Sequence, residues 1–221
     1  MKMEIREKTI SEAYTRIMSV VLRHGDLVTI PGYGDTLEYW EPIMTHITNP
    51  ADVGFIRDIP FTQNFLNAYA KELIDPTIGD DFAYTYAKRL MEYPGEIGWE
   101  NQVNYMIDQL NNDHSTRRAV ATLRVPSIDN YVVSQPCLTT LKCHIFDEQL
   151  DMTAYFRSHD VHLGFPANAY GLGRLQQHIL EGLDTNSVNL GQLIIISDSP
   201  HIYIDADRST INTFRQLNYG C

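Results

Sequence analysis

A change in the spacing of apolar residues near position 115 constrains the fold of this chain more than any other feature. Upstream of it, the runs "FTQNFLNAYAKELI" and "WENQVNYMIDQLNN" carry apolar side chains at helical spacing, which predicts two amphipathic helices. Downstream, "RRAVATLRV", "CLTTLKCHIF" and "QLDMTAYF" have the pattern of strands. Asp147 and Glu148 separate the last two runs and predict a hairpin turn.

The remaining segments complete the predicted fold. The run "TISEAYTRIMSVVLRHG" predicts a helix capped by Ser11 and ended by Gly25, and residues 37–47 predict a strand. "NAYGLGRLQQHILEGL" predicts another helix, in which Gly171 and Gly173 would allow close backbone approach, and "QLIIIS" predicts a last strand. This order indicates an α+β fold with a mixed, mostly antiparallel sheet covered by helices.

Composition narrows the classes of function. A chain of 221 residues with 43% hydrophobic content favours one domain, residues 1–221. The net charge of −11 argues against the nucleic-acid backbone as main partner, so no obligatory nucleic acid is expected. The three cysteines form no even disulfide framework and no leader-like segment opens the chain, which indicates a reducing cytoplasm. No apolar run approaches the roughly 20 residues that cross a bilayer, so no membrane partner is expected.

Polar side chains collect in three runs, "HSTRRAV", "YFRSHDVHLGFPANAYG" and "SDSPHIYID". Each alone fits a solvated strand end, a turn or ordinary packing. Together, Arg117 with Arg118 and Arg157 with Ser158 form a donor set suited to a phosphate dianion, because guanidinium forks match phosphate oxygens. The sequence therefore predicts an anion site in an acidic protein.

Cys137, in "SQPCLTT", follows a proline and precedes a predicted strand. Free cysteine is commonly a buried core residue, so the residue alone leaves both a packing and a nucleophilic role open. A guanidinium from Arg157, if it lies nearby, would favour the thiolate and make Cys137 a nucleophile.

These motifs as a set resemble the folate-dependent thymidylate synthases and the related pyrimidine-nucleotide hydroxymethylases. They are Pro-Cys, then Arg-Ser-x-Asp with its arginine 20 positions after the cysteine (157 − 137), Leu-Gly-x-Pro-x-Asn and His-Ile-Tyr, together with "STRR" and "YAKRL". The resemblance covers roughly residues 80–205 and extends only loosely to the first 75 residues. The short chain is most similar to archaeal members.

The resemblance implies a covalent mechanism and a shared site. Cys137 is the implied nucleophile that adds to C6 of the uracil ring. Arg157 and Ser158 match the family's phosphate ligands, with Arg157 also beside the thiol. Arg117 and Arg118 match the pair that reaches into the neighbouring subunit's site. An obligate homodimer that dimerises through the sheet follows, with active sites shared between subunits.

Other implied roles concern the base, the sugar and proton transfer. Asp160 corresponds to a residue whose backbone helps hold the pyrimidine. Asn168 corresponds to the amide that reads the base edge, and an amide here favours uracil because it offers an acceptor for N3–H and a donor for O4. His201 and Tyr203 match the pair that bonds the sugar 3′-hydroxyl. Tyr86 matches a tyrosine of the proton-transfer network.

The chain departs from the family pattern at several points. Leu138 follows the nucleophile where bacterial members carry His, and the loop "PGYGDT" lacks an arginine that many relatives place there. The 18 residues after Tyr203 (221 − 203) imply that the long closing tail is absent or replaced. Glu72 is the nearest candidate for the family's proton-transfer glutamate.

The resemblance implies reductive methylation of dUMP to dTMP. The one-carbon carrier is expected to be 5,10-methylenetetrahydrofolate or a methanopterin-type methylene pterin, without a metal. A hydroxymethylase, in which water rather than hydride quenches the same intermediate, is the alternative that the sequence leaves open. A nucleotide- or RNA-binding homologue without turnover is disfavoured by Cys137, since binding alone needs no thiol.

Overall fold

The alternating runs of the second half form the centre of a six-stranded sheet in a computed structural model, which describes residues 3–55, 59–78, 85–96, 98–205, 208 and 211–212. In sheet order the strands are β1 (Met3–Glu7), β4 (Ile43–Ile47), β11 (Asn189–Ser197), β9 (Gln149–Phe156), β8 (Leu138–Phe146) and β7 (Val120–Thr122). Three neighbouring pairs are antiparallel and two, β1 with β4 and β9 with β11, are parallel.

The predicted hairpin joins β8 to β9. Asp147 and Glu148 adopt positive φ values of 50° and 56°, the left-handed conformation that a two-residue hairpin turn of the primed type requires. The alternation predicted for the second strand is also present, because Leu150, Met152 and Ala154 are all fully buried. The hairpin prediction is therefore confirmed.

A second sheet contains β10 (His159–Asp160), β12 (Pro200–Tyr203), β3 (Gly34–Glu38) and β2 (Asp26–Ile30), and a two-stranded ribbon pairs β5 (Tyr93–Pro94) with β6 (Trp99–Glu100). The prediction of one strand over residues 37–47 is wrong, because β3 and β4 lie in different sheets. The chain leaves β3 after Glu38, and Pro42, which has no backbone N–H, precedes the start of β4.

Six helices lie in the described parts of the chain: α1 (Ile10–His24), α2 (Gln63–Ile74), α3 (Tyr86–Met91), α4 (Gln102–Asn112), α5 (Pro126–Asp129) and α6 (Gly164–Glu181). The predicted helices are confirmed, but Ser11 does not cap α1. Thr9 is the N-cap and forms a capping box with Glu12, whereas the Ser11 hydroxyl accepts a hydrogen bond from Phe55 N. None of these described helices is both long and apolar enough to cross a membrane.

Helix α6 runs through the core and positions much of the candidate site. A Cβ at Gly171 would lie 3.2 Å from side-chain atoms of Tyr69 and Leu73 in α2. A Cβ at Gly173 would lie 2.8 Å from the carbonyl oxygen of Pro50. Both glycines therefore allow the close approach that was predicted. The single-domain α+β fold with helices packed on a mixed sheet is confirmed.

Candidate active site

Cys137 lies immediately before β8, and Arg157 lies immediately after β9, its antiparallel partner. The backbone N–H of Arg157 donates to the Cys137 carbonyl at 2.9 Å. Its guanidinium donates from Nε to the Pro136 carbonyl and from Nη2 to the Gln135 carbonyl, each at 3.0 Å. The pairing of two strands thus brings the cysteine and the arginine together, and the Cys137 side chain remains half-buried rather than sealed.

The net pKa shift of the Cys137 thiol is opposite to the one expected from the charge of Arg157 alone. Burial raises the pKa of the Cys137 thiol, the charge of Arg157 lowers it, and the Asp160 carboxylate raises it, with a net upward shift. Arg157 does favour the thiolate, but its charge does not outweigh desolvation. The protonated thiol is therefore the resting form at neutral pH, and the thiolate has to form when a ligand binds.

Tyr86 and Glu72 face a common space next to the nucleophile segment. The Tyr86 hydroxyl accepts a hydrogen bond of 3.4 Å from the backbone N–H of Leu138. Tyr86, Glu72, Tyr69 and Leu73 line a cavity of about 20 Å³, enough for about one water molecule. A carboxylate and two phenols therefore meet around a space of one water beside the nucleophile segment.

Asn168 lies near the start of α6, with 7% of its surface exposed. The Tyr69 hydroxyl donates to Asn168 Oδ1 at 2.5 Å, and Asn168 Nδ2 donates to His159 Nε2 at 3.1 Å. Sequence reasoning missed both partners. In the sequence, Tyr69 lies within the run "FTQNFLNAYAKELI" and has the pattern of a packing residue, and His159 occupies the variable position of Arg-Ser-x-Asp.

His159 is a buried aromatic neighbour of this amide. Its ring stacks on Phe156 with a centroid separation of 3.9 Å and an interplanar angle of 1°, and its Nδ1 lies 2.8 Å from Ser197 Oγ. Burial, with a smaller contribution from His201, lowers the pKa of His159 to about 3. The imidazole is therefore neutral at physiological pH.

His201 and Tyr203, predicted to hold the sugar, lie on β12 with their rings edge to face at 4.8 Å. His201 Nδ1 lies 2.9 Å from the Ser199 carbonyl, so it carries the proton and donates it there. Tyr33, from the loop that lacks arginine, stacks on Tyr203 at 5.1 Å. Burial and then the Asp160 carboxylate raise the pKa of Tyr203 to about 12, so the phenol stays protonated as a hydrogen-bond donor.

Asp160 uses its side chain to fix the start of α6, because Oδ1 accepts from the backbone N–H groups of His162 and Leu163 at 2.9 and 3.1 Å. In β10 it pairs with His201 of β12. Ser158, which stands between Arg157 and His159, is part-exposed. The phosphate candidates Arg157 and Ser158 and the base candidates Asp160 and Asn168 therefore lie on one stretch from 157 to 168, and the pairing of β10 with β12 brings the sugar candidates beside it.

Arg117 and Arg118 do not join this group within one chain. Both are exposed and precede β7 at the edge of the large sheet. The neighbouring Ala119 carbonyl accepts from Cys143 N, six residues along β8 from Cys137 (143 − 137), which corresponds to about 20 Å in an extended strand.

Cys143 is fully buried, and burial raises the pKa of its thiol to about 12, so it packs in the core rather than reacting. No group of three or more His, Cys, Asp or Glu side chains in the described parts of the chain could hold a metal ion.

Comparison with known proteins shows the family of this chain. The family described as "Thymidylate synthase" matches residues 55–216. Proteins named "Putative thymidylate synthase" from Methanococcoides burtonii and Methanosarcina mazei are 35% and 34% identical over 199 residues, 90% of this chain and 88% of each relative. One of the same name from Methanocaldococcus jannaschii is 31% identical over 215 residues, 95% of both chains. The chain therefore belongs to the thymidylate synthase family.

Proposed function

We propose that this protein converts dUMP to dTMP by reductive methylation, with Cys137 as the nucleophile. The observation that carries the proposal is the partly buried but not sealed Cys137, held beside Arg157 at paired strand ends. The base-reading candidate Asn168 and the sugar-binding candidates His201 and Tyr203 are positioned by the adjoining β10, β12 and α6. A thiol, a phosphate-binding cation and a carboxamide are the groups that covalent activation of a pyrimidine nucleotide needs.

The proposed chemistry starts with addition of Cys137 Sγ to C6 of uracil. The thiol proton leaves, and the electron pair of the C5–C6 double bond moves toward O4, so that C5 becomes nucleophilic. After C5 has bonded to the one-carbon unit, its proton departs through Tyr86 and the water-sized cavity lined by Glu72. The C6–Sγ bond would break and release the thiolate only after the one-carbon unit had separated from its carrier and had been reduced to a methyl group by the carrier's hydride. Asn168 holds the base throughout by bonding N3–H and O4.

A reduced pterin supplies the one-carbon unit and the hydride when it is bound. Tyr131 and Val133, shortly before Cys137, have 85% and 98% of their surface exposed and are proposed as the pterin contacts. These side chains would hold the flat face of a pterin beside the base. Both 5,10-methylenetetrahydrofolate and a methanopterin-type methylene pterin present such a face, and either is proposed as the carrier.

The phosphate is proposed to be bound across a homodimer. Arg157 and Ser158 come from the same chain as Cys137, whereas the partner subunit's Arg117 and Arg118 would complete the site. The separation of about 20 Å between these arginines and Cys137 along β8 supports donation from a second copy. The sheet is consistent with such an interface, since Lys142, between the buried Leu141 and Cys143, and His144 remain part-exposed on β8.

Hydroxymethylation is the second candidate function. The cavity of about 20 Å³ beside Glu72 and Tyr86 favours it, because a held water is the nucleophile that would produce a hydroxymethyl group. A binding protein without turnover would not need a thiol beside Arg157, so the position of Cys137 argues against that alternative.

The direct test is trapping with 5-fluoro-dUMP and methylenetetrahydrofolate, followed by mass spectrometry of the intact protein. A covalent adduct on Cys137 is expected, because fluorine at C5 cannot leave as a proton does. Cys137→Ala should abolish the adduct, and Cys143→Ala, the matched control, should retain it. An adduct that persists in Cys137→Ala would refute the proposal. With dUMP itself, a methyl or a hydroxymethyl product separates the two candidate functions.

A further inference from the structure

A directional chain of hydrogen bonds crosses the base-reading end of the candidate site. It runs from the Tyr69 hydroxyl to Asn168 Oδ1 at 2.5 Å, from Asn168 Nδ2 to His159 Nε2 at 3.1 Å, and from His159 Nδ1 to Ser197 Oγ at 2.8 Å. The four residues belong to α2, α6, β10 and β11. This series of hydrogen bonds therefore links two helices and both larger sheets through the Asn168 carboxamide.

The imidazole in the middle of this chain is held firmly. His159 has 1% of its surface exposed, and its ring lies parallel to the ring of Phe156. The ring of Phe165 lies tilted to the imidazole, with the two centroids 5.7 Å apart. Its backbone N–H also donates to the Ser199 carbonyl. Because burial lowers the pKa of His159 to about 3, the ring carries a single N–H at neutral pH.

Because the His159 ring carries one proton, the hydrogen bonds can run in only one of two directions, set by the nitrogen that holds the proton. When Nδ1 carries it, Nε2 accepts from the Asn168 NH₂, and the carboxamide oxygen is left facing the Tyr69 donor. When Nε2 carries it, the carboxamide must rotate by half a turn, so that its oxygen faces His159 and its NH₂ faces Tyr69. The Ser197 hydroxyl is compatible with either sense, since it both donates and accepts.

The two senses present opposite patterns to a bound base. Tyr69 and His159 each use one position of the carboxamide, so its oxygen keeps one lone pair and its nitrogen keeps one hydrogen for a ligand. A Cβ at Gly164 would lie 3.5 Å from both Asn168 Nδ2 and Asp160 Cβ, so the amide lies near Asp160. The Asp160 carboxylate in turn raises the pKa of the Cys137 thiol, so it lies close enough to act on it. With C6 of the base fixed at Cys137, rotating the amide exchanges the donor and acceptor that meet N3 and the C4 substituent.

We propose that His159 is the positioning residue that selects uracil over cytosine, by accepting the Asn168 amide hydrogen at Nε2 and so fixing the carboxamide with its oxygen toward Tyr69. The inference rests on the proposed function, since it assumes a pyrimidine monophosphate as ligand. Uracil offers an N3–H donor and an O4 acceptor, and cytosine offers the reverse, so one fixed sense matches only one of the two bases, and the proposed function assigns it to uracil.

The test compares the Kd of dUMP with the Kd of dCMP, measured by calorimetry, for the wild-type protein and for a matched pair of variants. In His159→Gln the terminal amide replaces Nε2 and keeps a partner for Asn168, whereas His159→Asn reaches only the position of Nδ1. We expect His159→Asn to lower the preference for dUMP over dCMP by about tenfold, the effect of losing one buried hydrogen bond and its orientation. His159→Gln should stay within about threefold of wild type.

Tyr69→Phe breaks the chain from its other end without emptying the ring position, and it should reduce the same preference. Undiminished preference in folded Tyr69→Phe and His159→Asn would overturn the inference alone. No binding of dUMP by the wild-type protein would overturn the proposed function, and the inference with it. A readout that needs no ligand is the tautomer of His159 by ¹⁵N NMR. The Nδ1–H form supports the inference, and the Nε2–H form overturns it.

Discussion

Arg157 donates a hydrogen bond of 3.0 Å from Nε to the carbonyl oxygen of Pro136, the residue that precedes Cys137. A second bond from Nη2 reaches Gln135, so one edge of the guanidinium is used to hold the nucleophile segment. The planar fork leaves its other N–H groups directed elsewhere, which suits a cation that positions a thiol and binds a phosphate at once.

Replacement of Arg157 by lysine should separate these tasks. A lysine keeps the charge but cannot make two carbonyl contacts and bind phosphate in a plane, so kcat/KM for dUMP should fall by about 100-fold. Steady-state kinetics and the melting temperature of the variant measure the effect. Arg16→Lys, at an exposed arginine that pairs with Glu7 at 3.6 Å, is the control and should leave activity unchanged. Equal activity of both variants would contradict the role of Arg157.

Alkylation of Cys137 should report its raised pKa. Because burial outweighs the charge of Arg157, the rate of reaction with iodoacetamide should rise with pH and reach its midpoint above the ordinary pKa of a free thiol. Arg157→Gln removes the one favourable charge and should move the midpoint higher still. The rates are followed by mass spectrometry of the Cys137 peptide. A midpoint below neutral pH would show that the thiolate is already the resting form.

The buried pair of Arg89 and Asp129 should be essential for stability. Arg89 Nη2 donates to Asp129 Oδ1 at 2.7 Å, and the second carboxylate oxygen accepts from Val125 N at 2.6 Å. Asp129→Ala removes the buried carboxylate that accepts from both Arg89 and Val125 N, so the free energy of unfolding should fall by about 3–5 kcal/mol in urea titrations. Asp108→Ala, at an exposed position of α4, should change it by less than about 0.5 kcal/mol. A similar small change in both variants would refute this role.

Acid should destabilise the protein through His159. Its pKa is about 3 in the folded protein and near 6.5 when exposed, so between these values the unfolded state binds the additional proton. The contribution is therefore fully present above pH 6.5 and is lost as the pH falls toward 3. By pH 5 the loss of stability amounts to about 2 kcal/mol. Urea unfolding at pH 7 and pH 5 measures the loss, and His159→Gln should show a pH dependence smaller by that amount.

Mixed dimers should test the sharing of active sites. Arg118→Ala and Cys137→Ala should each be inactive alone, but a mixed dimer contains one site with both residues intact. Random exchange gives half mixed dimers with one working site of two, so roughly a quarter of wild-type activity should return. Dimers are verified by light scattering before the assay. Lack of recovery in verified mixed dimers would count against donation of Arg118 across the interface.

Local patterns predicted the features that local physics decides. The β8–β9 hairpin depends on alternation and on a two-residue turn, both of which are visible in the sequence. The division of residues 37–47 between two sheets depends on partners at positions 193–203, which no local period reveals. The hydrogen bond from Tyr69 to Asn168 joins residues 99 positions apart, so the chemistry of Tyr69 could not be separated from its packing. The net pKa of Cys137 likewise depends on a balance between burial and charge that only the fold determines.

The hydrogen atom that serves as the side chain of Gly173 bears on which nucleobase the protein accepts. With 2.8 Å between a Cβ at this position and the Pro50 carbonyl, even alanine would push α6 outward. Asn168 lies five residues earlier on the same helix, about 7.5 Å along its axis, and would be displaced with it. A contact on the far side of the helix thus sets the registration between a carboxamide and an imidazole, and Gly173→Ala should blur base discrimination without touching any group that meets the nucleotide.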